Sequence, residues 1–348
     1  MRRIVIVAVA LAISSGSTFL NARSMCRSNR YAPTLIARWH NGPGKEYSLR
    51  NEGLELHQIF HTFDRTHFFN HQLPKKQIVH RNNTQSSSTG IVLSNLIEKL
   101  IEEIAQKKKK FTHFDVIQNK NFNKRKGYGL LILKFKNHPF VLKLFMETPQ
   151  SFVKPNTKGF EPRFIFMLGG GINRHLAGLT RVKNLETINN RLKESPVWSS
   201  LIDTPRKWFW LPAKPSYLEL EGVNISGPNQ RQQTKIPAVY GIIADEIVPE
   251  RKLSMLKPED TKTAMDLCNF LDQFIDAHID NFLIEQHTHK IVIVDTEHFP
   301  TLVGMKEKLQ INNYLDYYGS LSWKCLHESY FLTKRERRER RLQKSITC

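Results

Sequence analysis

The segment DQFIDAHIDNFLIEQHTHKIVIVDTEHF, residues 272–299, sets Asp276, Asn281 and Asp295 around two apolar runs. A carboxylate beside a core is costly unless a charge, a hydrogen bond or a metal meets it. Asn281 follows Asp276 by five positions, and Asp295 follows Asn281 by fourteen. Between the last two, NFLIE and KIVIVD flank the polar turn QHTH and read as a hairpin of two short strands. Such a hairpin returns Asp295 to the end where Asn281 leaves, and the preceding helix delivers Asp276 to the same place. Three oxygen-bearing side chains then converge, and hard oxygen ligands suit Mg2+ or Mn2+. Glu297, two residues beyond Asp295, offers a further ligand or a positioning group. His278, His287, His289 and His298 invite a metal reading too, but His287 and His289 fall in the hairpin turn, where exposed histidines are ordinary.

The elements that must position these groups are visible as periodicities. In TKTAMDLCNFLDQF (261–274), Ala264, Leu267, Leu271 and Phe274 share one helical face and lead into the acidic segment. Upstream, the runs 111–118, 128–136 and 139–147 read as an antiparallel meander, with Lys143 inside the third strand. A lysine there is a poor core residue unless something anionic meets it. Ile91, Leu93, Leu96, Ile97, Leu100, Ile101 and Ile104 predict a helix at about 91–109, closed by a solvated lysine run. Residues 183–195 read as a short helix and 236–250 as a buried strand running into an acidic loop. Residues 23–90 read as irregular, with NNTQSSSTG the most linker-like patch. The triple glycine of LGGGINRHLAGLTR lacks the context of a phosphate-binding loop and reads as a turn. PRKWFWLPAKPSYLELEG reads as a packed aromatic connection.

The pattern D-x-x-x-x-N, a hairpin, then an apolar strand ending in Asp resembles the catalytic loop and metal-binding strand of the protein-kinase-like superfamily. The resemblance covers roughly residues 111–330 and implies an α+β, two-lobed fold. A small antiparallel-sheet lobe with insertions would span 111–245, and a mainly helical lobe 246–333. It implies ATP and Mg2+ (or Mn2+) as cofactors, Asp276 as the catalytic residue that orients the acceptor hydroxyl, and Asn281 and Asp295 as metal ligands. It further implies that Lys143 contacts phosphates and pairs with a helix glutamate, Glu186 first and Glu194 next. Gly127 and Gly129 would lie in the phosphate-covering loop at 119–129, among Lys120, Lys124, Arg125 and Lys126. Glu246 and Ile247 would lie at the adenine-contacting hinge. The Phe and Gly of the family's metal triplet are replaced by Thr296 and Glu297, and Phe274-Ile275 stands where the family has His-Arg. These departures resemble the atypical branches that act on lipids or small molecules. The implied function is phosphate transfer to a hydroxyl of a protein or small-molecule acceptor. The competing readings are an inactive kinase-like binding module, a basic nucleic-acid-binding protein, and an α+β domain whose acids are merely turns and caps.

The chain has 348 residues, 40% hydrophobic, and a formal net charge of +20 at pH 7. That surplus favours anionic partners and speaks to association rather than fold. Arg2 and Arg3 precede the apolar run IVIVAVALAISSGS, the layout of a secretory signal peptide over residues 1–22, with Ser17 or Ala22 near a cleavage point. Export follows as the expectation; an uncleaved membrane anchor and a buried strand are the alternatives. No later stretch reaches membrane-spanning length. Cys26, Cys268, Cys325 and Cys348 form no C-x-x-C pattern, which argues against a zinc site and a dense disulfide framework. Residues 334–348 read as a basic tail, a charged helix or a disordered basic arm.

Overall fold

The computed structural model describes residues 34–41, 46–50, 63–119, 121–149, 171–223, 231–299, 313–317 and 319. The signal-peptide segment, the basic tail and Gly169 and Gly170 of the triple glycine lie outside them, while Gly171, expected in a turn, begins a helix. All described residues belong to one contact unit, Pro33–Cys348. In chain order they form strands β1 (Thr34–His40) and β2 (Glu46–Arg50), helix α1 (Arg65–Asn70), strands β3 (Gln77–His80) and β4 (Asn83–Thr89), and helix α2 (Gly90–Ala105). Strands β5 (Phe114–Gln118), β6 (Phe122–Asn123), β7 (Tyr128–Phe135) and β8 (Phe140–Met146) follow, then helices α3 (Gly171–Gly178), α4 (Arg181–Lys193) and α5 (Pro196–Leu201). Next come β9 (Ile202–Asp203), β10 (Lys207–Trp210), β11 (Tyr217–Val223), β12 (Arg231–Pro237), β13 (Val239–Asp245) and β14 (Pro249–Lys252). The last named elements are helix α6 (Pro258–Phe270), a single 3-10 turn (Ile279–Asn281), β15 (Phe282–Glu285) and β16 (Ile291–Ile293). The class is α+β, built on small sheets that are antiparallel except where β16 pairs with β9.

The largest sheet runs β10-β13-β8-β7-β5, every pairing antiparallel, with β6 added against β7. Successive side chains of a strand point to opposite faces. In β8, Phe140, Leu142 and Leu144 therefore join one core with Leu93, Ile97, Leu100 and Ile104 of α2. Phe145 faces the other way, into a second core with Leu176 of α3, Leu179 of the following turn, Val182 of α4 and Tyr240 of β13. Lys143 shares that second face, two residues from Phe145 and between Ile132 and Ile242 in register. Phe209 of β10 lies in the same core, so Lys207, two residues earlier, takes this face as well. A third core gathers α6 with Ile275, Ala277, Phe282, Ile293, Tyr314 and Tyr317, beneath the four-stranded sheet β14-β15-β16-β9.

Several expectations need correction. The described part of residues 23–90, expected to be irregular, contains β1–β4 and α1. The linker-like NNTQSSSTG is strand β4, paired antiparallel with β3. Its polar composition misleads because backbone bonding across the hairpin, with polar side chains such as Ser88 buried beneath it, holds a strand that lacks an apolar run. The helix expected at 91–109 starts at Gly90 and ends at Ala105, capped by Thr89 Oγ1 accepting from Val92 N at 3.2 Å, so the lysine run lies outside it. The expected mainly helical region 246–333 contributes strands β14–β16 beside α6 among its described residues.

Candidate functional site

The hairpin forms as its polar turn predicts. Phe282 pairs with Ile293, and Val294 N donates to Asn281 O at 3.0 Å, so Asn281 and the strand end at Asp295 share one end of β15–β16. His278 N and the Tyr317 hydroxyl both donate to Asp276 Oδ1. Asn281 Nδ2 donates to the Asp276 carbonyl at 3.1 Å, which binds the two residues into one turn. Burial pushes the Asp276 carboxyl above its ordinary value, opposed by the Tyr317 and His278 donors and reinforced by the negative charge of Asp295.

Lys143 reaches this end from the sheet. Its Nζ donates to Asp295 Oδ2 at 3.0 Å, across 152 positions of chain. Side-chain exposure is 17% for Lys143 and 23% for Asp295, so the pair opens partly onto solvent. Behind it, Arg181 is 3% exposed. Arg181 Nε donates to Asp295 Oδ1 at 2.8 Å and a terminal nitrogen to Oδ2 at 3.0 Å, a two-pronged grip. The same terminal nitrogen also bonds Glu297. Lys207 Nζ, on β10, donates to Thr296 Oγ1 at 2.6 Å and to Val294 O at 3.3 Å, both neutral acceptors. Arg174 on α3 lies within electrostatic reach of Glu297 and Asp295.

These charges do not balance. Lys143, Arg174, Arg181 and Lys207 face Asp295, Glu297 and Asp276. Only Asp295 is held well below the carboxylate range: Arg181 and Lys143 overcome its burial. Burial pushes Glu297 upward, against Arg181. Lys207 falls well below the ordinary lysine value, through burial first and then the positive charge of Lys143. Burial also lowers Lys143, with Asp295 opposing. The site therefore sets four cations, Arg181 and Lys207 of them buried, against three carboxylates, an excess that an anion with several oxygens would relieve.

Helix α4 is the positioning element. Arg181, Asn184, Leu185, Ile188 and Leu192 line its buried face. Asn184 Nδ2 donates to the carbonyls of Phe274 and Thr296, each at 3.0 Å, and so ties the segment before Asp276 to the segment after Asp295. Glu186 lies five residues after Arg181, about 140° round the helix, and cannot share that face. It pairs with His67 and His71 instead of Lys143. Glu194 bonds Arg191 at the helix end. Both glutamate expectations are thereby corrected: the helix group at the site is an arginine, and it grips Asp295 rather than the lysine.

The expected phosphate-covering loop is a tight turn. Gly127 N and Lys126 N both donate to Asn123 O, closing β6 onto β7. Gly127 takes a positive φ of 66° as the turn requires. Gly129 has φ 112°, and a Cβ there would lie 2.2 Å from Asn121 O, so it is glycine because one backbone crosses another closely. Lys120 lies outside the described residues. The expected hinge is occupied as well: Glu246 N donates to Pro139 O at 2.9 Å, Glu246 O faces His80 Nε2 at 3.0 Å, and its carboxylate pairs with Lys134 at 2.5 Å. The Glu246 N–H is therefore already committed to Pro139 and its carbonyl already has one partner, while Ile247 is half-buried beside it.

The donor chemistry fits Mg2+ in one respect, since Asp295 and the side-chain oxygen of Asn281 are hard oxygen ligands at one hairpin end. Asp295 also answers to Lys143 and Arg181, so a metal there shares it with them. Reasoning from the sequence missed Arg174, Arg181 and Lys207. Lys207 stood in plain view inside the aromatic run PRKWFW, where period-two alternation sets it on the opposite face from Trp208. No protein-family model, no curated protein and no solved structure matches this chain.

Proposed function

We propose that the chain is an ATP- and Mg2+-dependent phosphotransferase with a protein-kinase-like architecture, acting on a hydroxyl of a protein or small molecule. The observation that carries the reading is the contact of Lys143 Nζ with Asp295 Oδ2 at 3.0 Å, among four cations that outnumber the carboxylates they face. The element order supports it: a meander with the lysine in its third strand, helices α3 and α4, strands β10 and β13 that extend the same sheet with β13 beside β8, then a hairpin with Asn281 and Asp295 at one end. The resemblance and this order agree, while the arginine in place of the helix glutamate marks a departure.

When bound, ATP supplies the phosphoryl group and Mg2+ offsets charge on its phosphates. Lys143, Lys207 and Arg174 would hold its phosphate oxygens. Arg181 and Asn184 fix Asp295 and the adjoining backbone, which is positioning in advance of reaction. Asp276 accepts the proton of the acceptor hydroxyl, and its raised pKa brings it closer to the working range of a general base. Export by the N-terminal segment remains part of this reading. No helix among the described residues is long and apolar enough to cross a membrane.

A second reading, nucleotide binding without transfer, is favoured by the two-pronged grip of Arg181 on Asp295, which competes with a metal for both oxygens. Labelled ATP with Mg2+ or Mn2+ and hydroxyl-bearing acceptors, the chain itself included, separates the two. Asp276→Asn should lower transfer by about 100-fold or more, the scale of lost general-base catalysis, while nucleotide binding persists. Binding without transfer in the wild-type chain selects the second reading. Absence of binding defeats both.

A further inference from the structure

The flank of α4 that turns away from Asp295 carries a second constellation. Glu186 Oε2 lies 2.8 Å from His67 Nε2, and Glu186 Oε1 lies 2.7 Å from His71 Nε2. The histidines stand four positions apart, at the spacing that sets two side chains on one side of a helical turn. Their rings stack, with centroids 3.9 Å apart and planes 20° apart. The three donor atoms all lie within 4.8 Å of one another.

The hydrogen bonding selects a ligand atom. His71 Nδ1 lies 2.8 Å from the His67 carbonyl oxygen. A carbonyl only accepts, so Nδ1 carries the hydrogen and Nε2 holds the ring's lone pair. That lone pair faces a carboxylate oxygen, and two acceptors approach so closely only with a cation between them, either a second proton or a metal ion. A ring nitrogen bonded to a backbone carbonyl while its partner faces the metal is the usual outer arrangement of a metal-bound histidine. The side chains are 14% (His67), 34% (His71) and 47% (Glu186) exposed, so an ion reaches them from solvent.

We propose that His67, His71 and Glu186 form a binding site for a divalent transition metal of the zinc type, with two imidazoles, one carboxylate and a position left for water. Tetrahedral Zn2+ with ligands at about 2.0–2.1 Å sets donor atoms about 3.3 Å apart, so these donors spread by roughly half an ångström to accept it. Imidazole donors select Zn2+ over Mg2+, which separates this site from the oxygen donors at Asn281 and Asp295. The ion links the α1 turn to α4, the helix that presents Arg181 and Asn184. The absence of a C-x-x-C pattern therefore does not dispose of zinc in this chain; the signal was the H-x-x-x-H of HFFNH. The proposal does not depend on phosphate transfer.

The test uses the full chain, stripped with a chelator and titrated with Zn2+ against a chromogenic competitor, and with Co2+ followed by visible absorption. The chain contains 14 histidines, so His71→Asn and Glu186→Gln are titrated in parallel, with circular dichroism confirming that each is folded. One saturable Zn2+ per chain, a tetrahedral Co2+ spectrum, and a loss of about tenfold or more in affinity in each variant are expected. No saturable Zn2+ on the wild-type chain, an octahedral Co2+ spectrum, or affinity unchanged in both folded variants would overturn the site and leave a protonated-histidine ion pair.

Discussion

At the scale of single residues, Lys207 is a buried lysine whose hydrogen-bond acceptors, Thr296 Oγ1 and Val294 O, are both neutral. It is 6% exposed, with Lys143 and Arg181 as electrostatic opponents. Its folded-state pKa lies well below 10.5, so the unfolded chain binds more protons, and stability rises with pH towards the ordinary lysine value. Lys207→Met removes the desolvated charge at similar length. In the absence of nucleotide it should raise unfolding free energy by about 1 kcal/mol, as replacement of buried charge by apolar side chains commonly does. It should also flatten the alkaline rise, both read from urea denaturation at several pH values. The same variant should bind nucleotide more weakly, since a group that costs stability in the free protein then has its purpose in the bound one. A destabilised Lys207→Met chain with intact nucleotide affinity would assign the lysine to structure alone.

At the scale of elements, what the sequence revealed was what depends on local period. The hairpin around QHTH and the third-strand lysine follow from alternation and turn chemistry, and both stand where expected. The helix residue at the site was not legible, because it depends on which face of α4 packs inward, and Arg181 and Glu186 are both polar residues on one amphipathic helix. The phosphate-loop glycines misled for a related reason: Gly129 answers to a neighbouring backbone that spacing alone does not reveal. The β3–β4 hairpin shows the same limit. Its polar residues look like a tether, yet Arg81 in its turn pairs with Glu285 at 2.5 Å and bonds Asp203, while Asn82 Nδ2 donates to Glu285 at 2.8 Å. Glu285 is fully buried and Arg81 9% exposed. Arg81→Ala leaves a buried carboxylate without its charge partner and should cost about 3 kcal/mol in equilibrium unfolding. A loss comparable to that of a substitution in an exposed loop would return the hairpin to the status of linker.

At the scale of the whole molecule, two properties converge on an anionic ligand: a formal net charge of +20 and a local surplus of cations held by β8, β10, α3 and α4 around Asp295. The first steers anions of any kind, and the second, being buried and fixed in geometry, favours one with several oxygens in a small volume. Nucleic acid satisfies the first property alone. The most direct test is thermal unfolding of the wild-type chain and Lys143→Ala with and without Mg2+ and ATP. At a nucleotide concentration about 100 times the dissociation constant, binding to the folded state contributes about 2.7 kcal/mol, a rise of several degrees that depends on Mg2+. The account predicts that rise in the wild-type chain and its loss in Lys143→Ala. An equal rise in both proteins, or none in either, would contradict it.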